Sequence, residues 1–311
     1  MTTALLTHPA CEDHDTGPGH PERPDRLRAI LRVLEKDEFA DLLRETAPRA
    51  TEEQLERAHP EEHVSAILAI RPEGGDYVFL DPDTVMSSGS AEAALRAAGG
   101  AVAAVDLVMN GKAANAFVAV RPPGHHAEPR RAMGFCLFNN VAVAAQHARA
   151  ARGLTRIAVV DFDVHHGNGT QAMFAGDPDL FYASSHQSPA YPGTGLASDH
   201  GVAHNIVNVP LPPGAGSGPF RRGWREVILP ALDAFAPELL IISAGFDAHR
   251  SDPLAQLQLG ADDYAWVTLE LADVAARHAQ GRIVSLLEGG YDLEALAESA
   301  AAHVWALIRS G

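Results

Sequence analysis

The stretch Arg156-Ile-Ala-Val-Val-Asp-Phe-Asp-Val-His-His-Gly-Asn-Gly169 changes character halfway along. Its first half is a short apolar run of the kind that forms a buried parallel strand, and its second half is polar and glycine-rich. Side chains alternate along extended backbone, so Asp161, Asp163 and His165 share one face. Three polar groups on one face at the end of an apolar strand are costly to bury unless they are paired or bound to a metal. Working outward, comparable runs lie at Ala116–Val120, Leu180–Ser184, Ile206–Val209, Leu239–Ser243 and Arg282–Leu287. Helical patterns separate them at Ala91–Met109, Asn140–Arg152, Phe220–Phe235 and Asp262–Ala279. Alternating strands and helices predict an α/β fold, a parallel sheet covered by helices on both faces.

The chemistry-bearing segments follow the strands. Arg121-Pro-Pro-Gly-His-His126 follows the first, Ser185-His-Gln the third, Gly245-Phe-Asp-Ala-His249 the fifth and Glu288-Gly-Gly-Tyr291 the sixth. In open parallel sheets the active site forms at the carboxyl ends of the strands, so these loops are expected to converge on one cleft. Asp163 and His165 can reach one cation, and Asp252, in Ser251-Asp-Pro, is read as the third ligand. Two carboxylates and one imidazole leave a coordination position open for water, as catalytic zinc sites do. Mixed oxygen and nitrogen donors also suit Fe2+ or Mn2+. Of the adjacent His125 and His126, one imidazole can take a proton from a metal-bound water and one can protonate a leaving amine. Asp161 and Asn168 are the candidate partners that orient them. Tyr291, after a flexible Gly-Gly, can hydrogen-bond an oxyanion.

Composition restricts the setting. The 311 residues are 46% hydrophobic and 21% charged, which suits one globular domain spanning 1–311. No apolar run approaches the roughly 18 residues of a membrane span, and the first residues lack the pattern of a signal peptide. Two cysteines, Cys11 and Cys136, argue against a disulfide framework and fit a cytoplasmic location. The net charge of −16 disfavours nucleic acid and is compatible with a cationic substrate such as a lysine-rich peptide or a polyamine. Oligomeric state is left open, a homo-oligomer included.

Taken in chain order, the motifs resemble those of the histone deacetylase family, which includes acetylpolyamine amidohydrolases. They are His14-x5-His20-Pro-Glu-x-Pro-x-Arg26, Arg121-Pro-Pro-Gly-His-His126, Gly134-Phe-Cys136 with Asn139-Asn140, Asp161-x-Asp-x-His-His-Gly-Asn-Gly169, Pro192-Gly-Thr-Gly195, Gly245-Phe-Asp247, Asp252-Pro253 and Glu288-Gly-Gly-Tyr291. The resemblance implies the arginase–deacetylase fold, a single three-layer domain around a central, mostly parallel eight-stranded sheet. It implies Asp163, His165 and Asp252 as zinc ligands and His125 and His126 as the tandem histidines, with His126 as general base and acid. Asp161 and Asn168 are then their partners, and Tyr291 the oxyanion tyrosine. Asn168 resembles the class II branch, where class I members carry Asp. Phe135 resembles one wall of an acyl-lysine tunnel, Gly134 offers a tunnel carbonyl, and Arg26 resembles the arginine near an acetate exit channel. Structural potassium is implied as well, with one site at Asp161, Asp163, His165 and Ser184 and a second on the carbonyls of Phe174, Asp177 and Leu180.

Two departures bear on the substrate. The second tunnel aromatic is Tyr191, which adds a hydroxyl to the stacking face. The residue after Asp252-Pro253 is Leu254, where a polyamine-selective member would carry an acidic side chain. Asp81 and Asp83 are candidates for the rim carboxylate. The reading that results is a zinc-dependent deacetylase acting on acetylated or otherwise acylated lysine, in proteins or small substrates, by metal-activated water. An acetylpolyamine amidohydrolase is the alternative. Only one full ligand set is found, which argues against an arginase-like dinuclear centre.

Overall fold

The structure is a computed structural model that describes residues 2–311. In chain order the strands are β1 (Thr3–Thr7), β2 (Leu43–Thr46), β3 (Val78–Phe79), β4 (Val85–Met86), β5 (Asn115–Val118), β6 (Ile157–Asp161), β7 (Leu180–Gln187), β8 (Ile206–Leu211), β9 (Leu239–Ala244) and β10 (Ile283–Leu287). Eight of them form one sheet in the order β2-β1-β5-β10-β9-β6-β7-β8, and β3 and β4 form a separate hairpin. All neighbours in the large sheet are parallel, so the expected "mostly parallel" sheet is wholly so. Every residue of β5, β6, β7, β9 and β10 is buried, which explains why these strands read as continuous apolar runs. β1 and β2, the hairpin and the helices at the two ends of the chain were not among the predicted elements. β2 is an exposed edge strand with the sequence Leu-Arg-Glu-Thr, which carries little apolar signal.

The helices are α1 (Pro24–Val33), α2 (Glu52–Glu56), α3 (Glu61–Ala69), α4 (Ser90–Met109), α5 (Asn140–Arg152), α6 (Asn168–Phe174), α7 (Ser217–Gly223), α8 (Leu229–Phe235), α9 (Ala261–His278) and α10 (Leu293–Ser310). α4 and α5 pack together on β1, β5, β6, β9 and β10, while α1, α9 and α10 form a second packed helical group, completing a three-layer arrangement. α5 matches its predicted bounds because its ends are chemically marked. The side chain of Asn139 accepts the N–H of Ala142 at 3.0 Å, and Gly153 takes up the left-handed conformation at the other end. The predicted helix Phe220–Phe235 is α7 and α8 joined by a π-helical turn at Trp224–Ile228. No helix among the described residues is long and apolar enough to cross a membrane.

Candidate metal centre and active site

β6 and β9 are adjacent and parallel, with Asp161 opposite Ser243, so the segments that leave their carboxyl ends emerge side by side. This brings Asp163 and His165 from one segment against Asp247 from the other. His165 Nδ1 lies 3.2 Å from Asp163 Oδ1 and 3.1 Å from Asp247 Oδ2. Tetrahedral bonds of about 2.0 Å place ligand atoms about 3.3 Å apart, so this donor set fits one small divalent cation. Backbone donors fix both carboxylates: Gly289 N–H donates to Asp163 Oδ2 at 2.8 Å, and Val164 N–H to Asp247 Oδ1 at 2.8 Å. Burial raises the pKa of Asp247 to about 7, with the charge of Asp163 acting the same way. Burial opposes charge on His165, but the two carboxylates around it raise its pKa to about 10. The cluster therefore calls for positive charge at its centre.

Asp163, His165 and Asp247 each bring a ligand atom within 4.8 Å of the others, and Asp252, the third ligand read from the sequence, is not in that group. The Asp252 carboxylate, like those of Asp163 and Asp247, accepts backbone N–H groups: Leu254 N–H at 3.0 Å on Oδ1 and Tyr291 N–H at 2.7 Å on Oδ2. Asp247 had a signal in the sequence, since it closes Gly245-Phe-Asp directly after β9, as Asp163 follows β6.

The tandem histidines sit on the segment after β5. A single carboxylate oxygen, Oε2 of Glu288, accepts the N–H groups of Gly124 at 2.7 Å and His125 at 3.1 Å and holds that segment in place. His125 Nδ1 is 2.9 Å from Asp161 Oδ2. Burial disfavours a charged His125, but Asp161, Asp163 and Glu288 outweigh that cost and raise its pKa well above the ordinary value. His126 Nδ1 donates to Asn168 Oδ1 at 2.8 Å, and the amide is oriented by its own N–H donation to Glu128 Oε1 at 2.9 Å. Burial, followed by the charges of His125 and His165, lowers the pKa of His126 well below the ordinary value. Two adjacent imidazoles are thus driven apart, one towards imidazolium and one towards the neutral base, whose remaining nitrogen is Nε2.

His126, His165 and Tyr291 line a cavity of about 250 Å3, together with Phe135, Tyr191 and Leu254. Gly134 and Asp83 complete its lining, so of the two candidate rim carboxylates Asp83 is the one placed there. Gly134 is required: its φ is +56°, and a Cβ would come 2.5 Å from the ring of His126. The Tyr191 ring meets His126 edge-on at 5.1 Å between centroids, and Phe135 meets Tyr291 at 5.9 Å. Arg26 is not in the cavity lining. It lies behind Tyr291, 4.8 Å from the ring centroid, with its guanidinium donating to Glu22 Oε1 at 2.8 Å and to the carbonyls of Glu288 and Gly290 at 2.5 Å each. Glu22, Arg121 and Glu288, all buried, support the site and were not singled out from the sequence as functional residues. Of the potassium ligands, Asp161 pairs with Ser184 across β6 and β7, and Asp163 and His165 lie on the segment that continues β6. The carbonyls of Phe174, Asp177 and Leu180 also converge, but on the side chain of Asn205.

A family model described as "Histone deacetylase domain" matches residues 20–307. A histone deacetylase-like amidohydrolase of Pseudomonas aeruginosa is 42% identical over 279 residues, covering 88% of this chain and 73% of its own. A probable deacetylase of Archaeoglobus fulgidus is 38% identical over 301 residues, covering 94% and 82%. The crystal structure of the HDA15 HD domain superposes with a TM-score of 0.92 at 38% identity, over 99% of this chain and 88% of that one.

Proposed function

Because the chain belongs to the histone deacetylase family, we propose that it is a metal-dependent deacetylase that hydrolyses the amide of an acetylated or otherwise acylated lysine side chain, in a peptide or a small molecule. The observation that carries this reading is that the Asp163–His165–Asp247 cluster, through His165, opens on the same cavity as His126 and Tyr291. Asp163, His165 and Asp252, whose carboxylate meets the backbone of Tyr291, would hold the ion, with Asp247 a further carboxylate against His165; Zn2+ is favoured and Fe2+ compatible. Bound there, a divalent ion polarises the amide carbonyl and acidifies a water molecule.

The chain's own groups supply the rest. His126, neutral and with Nδ1 committed to Asn168, offers Nε2 to receive the proton of the attacking water. His125, kept cationic beside Asp161, adds positive charge near the developing oxyanion and holds its neighbour in the neutral form. The Tyr291 hydroxyl, protonated because burial raises its pKa, donates a hydrogen bond to the carbonyl oxygen as it gains charge. The proton held on His126 Nε2 then passes to the departing amine. Phe135, Tyr191 and Leu254 supply apolar surface for the methylene chain of the acylated amine, and Asp83 an acceptor for an N–H at the mouth.

A structural potassium ion at Asp161, Asp163, His165 and Ser184 belongs to the same proposal. It is supported by the carbonyls of Asp163 and His165, to which no backbone N–H of the described residues donates. Cys11 and Cys136 are free and buried, which suits a reducing compartment such as the cytoplasm.

The test is to assay zinc-loaded protein on an acetyl-lysine peptide and on acetylspermidine in parallel. Turnover of the peptide with the higher kcat/KM is expected, because Leu254 brings no carboxylate to meet an internal ammonium. Protein that binds zinc and turns over neither substrate refutes the proposal, and a preference for acetylspermidine replaces the substrate class.

A further inference from the structure

The segment joining α6 to β7 forms a cage of main-chain oxygens. The carbonyls of Phe174, Asp177 and Leu180 point to one common centre, the position at which the family resemblance expects a second potassium ion. In this chain a side chain fills that centre. Asn205 Nδ2 donates to Phe174 O at 2.9 Å, to Asp177 O at 2.9 Å and to Leu180 O at 2.7 Å. Asn205 is 2% exposed. The residues at this position therefore do not fit an added cation while Asn205 keeps its rotamer.

The orientation of the amide is determined by its surroundings. Three carbonyl oxygens would repel Oδ1 and accept from the two N–H bonds of Nδ2, one of them shared. On its other side Oδ1 accepts Ala203 N–H at 3.4 Å and lies against Gly201, whose missing Cβ leaves the room. The residue itself is anchored, because its carbonyl accepts the N–H of Tyr182 at 2.9 Å. The contrast with the first potassium position is direct: there, the carbonyls of Asp163 and His165 receive no backbone N–H among the described residues.

We infer that the carboxamide of Asn205 takes the place of the second structural alkali cation, so that the segment 174–180 and the start of β7 are ordered without potassium. The amide protons supply the partial positive charge that the three carbonyl dipoles require, and they do so intramolecularly, with no dependence on salt. The inference is independent of the reaction proposed for the active site.

The deciding variant is Asn205→Asp, which keeps the shape and replaces the donor by a carboxylate oxygen facing three carbonyls. That oxygen cage needs a cation. In choline chloride the variant is expected to melt several degrees below the parent protein. Equimolar KCl should raise its Tm by more than it raises the parent's, through binding to the folded state alone. If Asn205→Asp does not fold in either salt, Asn205→Gly opens the same cage without adding charge and is read in the same way. Independently of any variant, crystals of the parent protein soaked in thallium or rubidium salt should show no anomalous peak among the Phe174, Asp177 and Leu180 carbonyls. A peak there with Asn205 swung aside overturns the inference, as do equal potassium-dependent Tm shifts in parent and variant.

Discussion

The carboxylate of Asp252 accepts the backbone N–H of Tyr291 at 2.7 Å. Its other oxygen accepts the N–H of Leu254 at 3.0 Å, so one side chain ties together the backbones of two residues that line the cavity. With Asp252 as the proposed third ligand, Asp252→Ala is expected to lose zinc and activity together. Asp247→Ala should keep zinc through dialysis and lower kcat by roughly 10- to 100-fold, the cost of a slightly misplaced catalytic group. Metal analysis beside steady-state kinetics distinguishes the two, and an Asp247→Ala protein that loses its zinc while Asp252→Ala keeps it would make Asp247 the third ligand.

Tyr291 lies in the cavity with its hydroxyl protonated, since burial raises its pKa well above the ordinary value. Tyr291→Phe removes one donor and little volume. Its kcat should fall by about 100- to 1000-fold with KM nearly unchanged. A rise in KM at constant kcat would make the hydroxyl a ground-state contact instead.

Asn168 fixes His126 Nδ1 without adding charge. Asn168→Asp places a carboxylate there, which stabilises the imidazolium and raises the pKa of His126. A base with a higher pKa is deprotonated only at higher pH. The acid limb of the pH profile of kcat/KM should accordingly move up, by about one unit or more. An unchanged limb would mean that another group carries the base.

His59 and His303 are buried and neutral, with burial lowering their pKa values to about 4 and about 3. His14 Nε2 lies 3.6 Å from Glu22, but that carboxylate already serves Arg121 and Arg26, and burial leaves the ring neutral with a pKa of about 4. The unfolded chain takes up protons on these rings near pH 6.5 and the folded protein does not, so stability is complete above that pH and is lost as pH falls. Glu22, whose pKa its arginine partners hold at about 2 against the cost of burial, adds a further loss below the ordinary carboxylate range. Three such histidines give a slope of roughly 2–4 kcal/mol per pH unit around pH 5.5. Thermal melts between pH 7.5 and 5 should show Tm falling steeply, and a flat profile would indicate that these rings are protonated in the folded protein.

The legible part of the molecule was the part governed by short-range rules. The inner strands are apolar on both faces and announce themselves, while β2, an exposed edge of Leu-Arg-Glu-Thr, does not. The pairings of His125 with Asp161 and of His126 with Asn168 were expected and are present at 2.9 and 2.8 Å. Arg26, expected near an acetate exit channel, braces the carbonyls of Glu288 and Gly290 from behind Tyr291. Its partners lie more than 260 residues along the chain, beyond the reach of any local pattern.

The amino-acid sequence by itself determined the alternation of strand and helix, the edge of the sheet at which the chemistry gathers, and the identity of most groups that do it. Period-two alternation and strand-end loops are local consequences of backbone geometry. Two choices between near neighbours were left to the tertiary structure. Asp247 and Asp252 leave the same strand five residues apart, and only the long-range bonds from Val164 to one and from Tyr291 to the other decide which meets His165. The carbonyls of residues 174–180 would present the same face to an ion or an amide, and only the approach of β8 brings Asn205 into their centre. Both outcomes depend on hydrogen bonds between segments distant in the chain, which form only once the sheet is assembled.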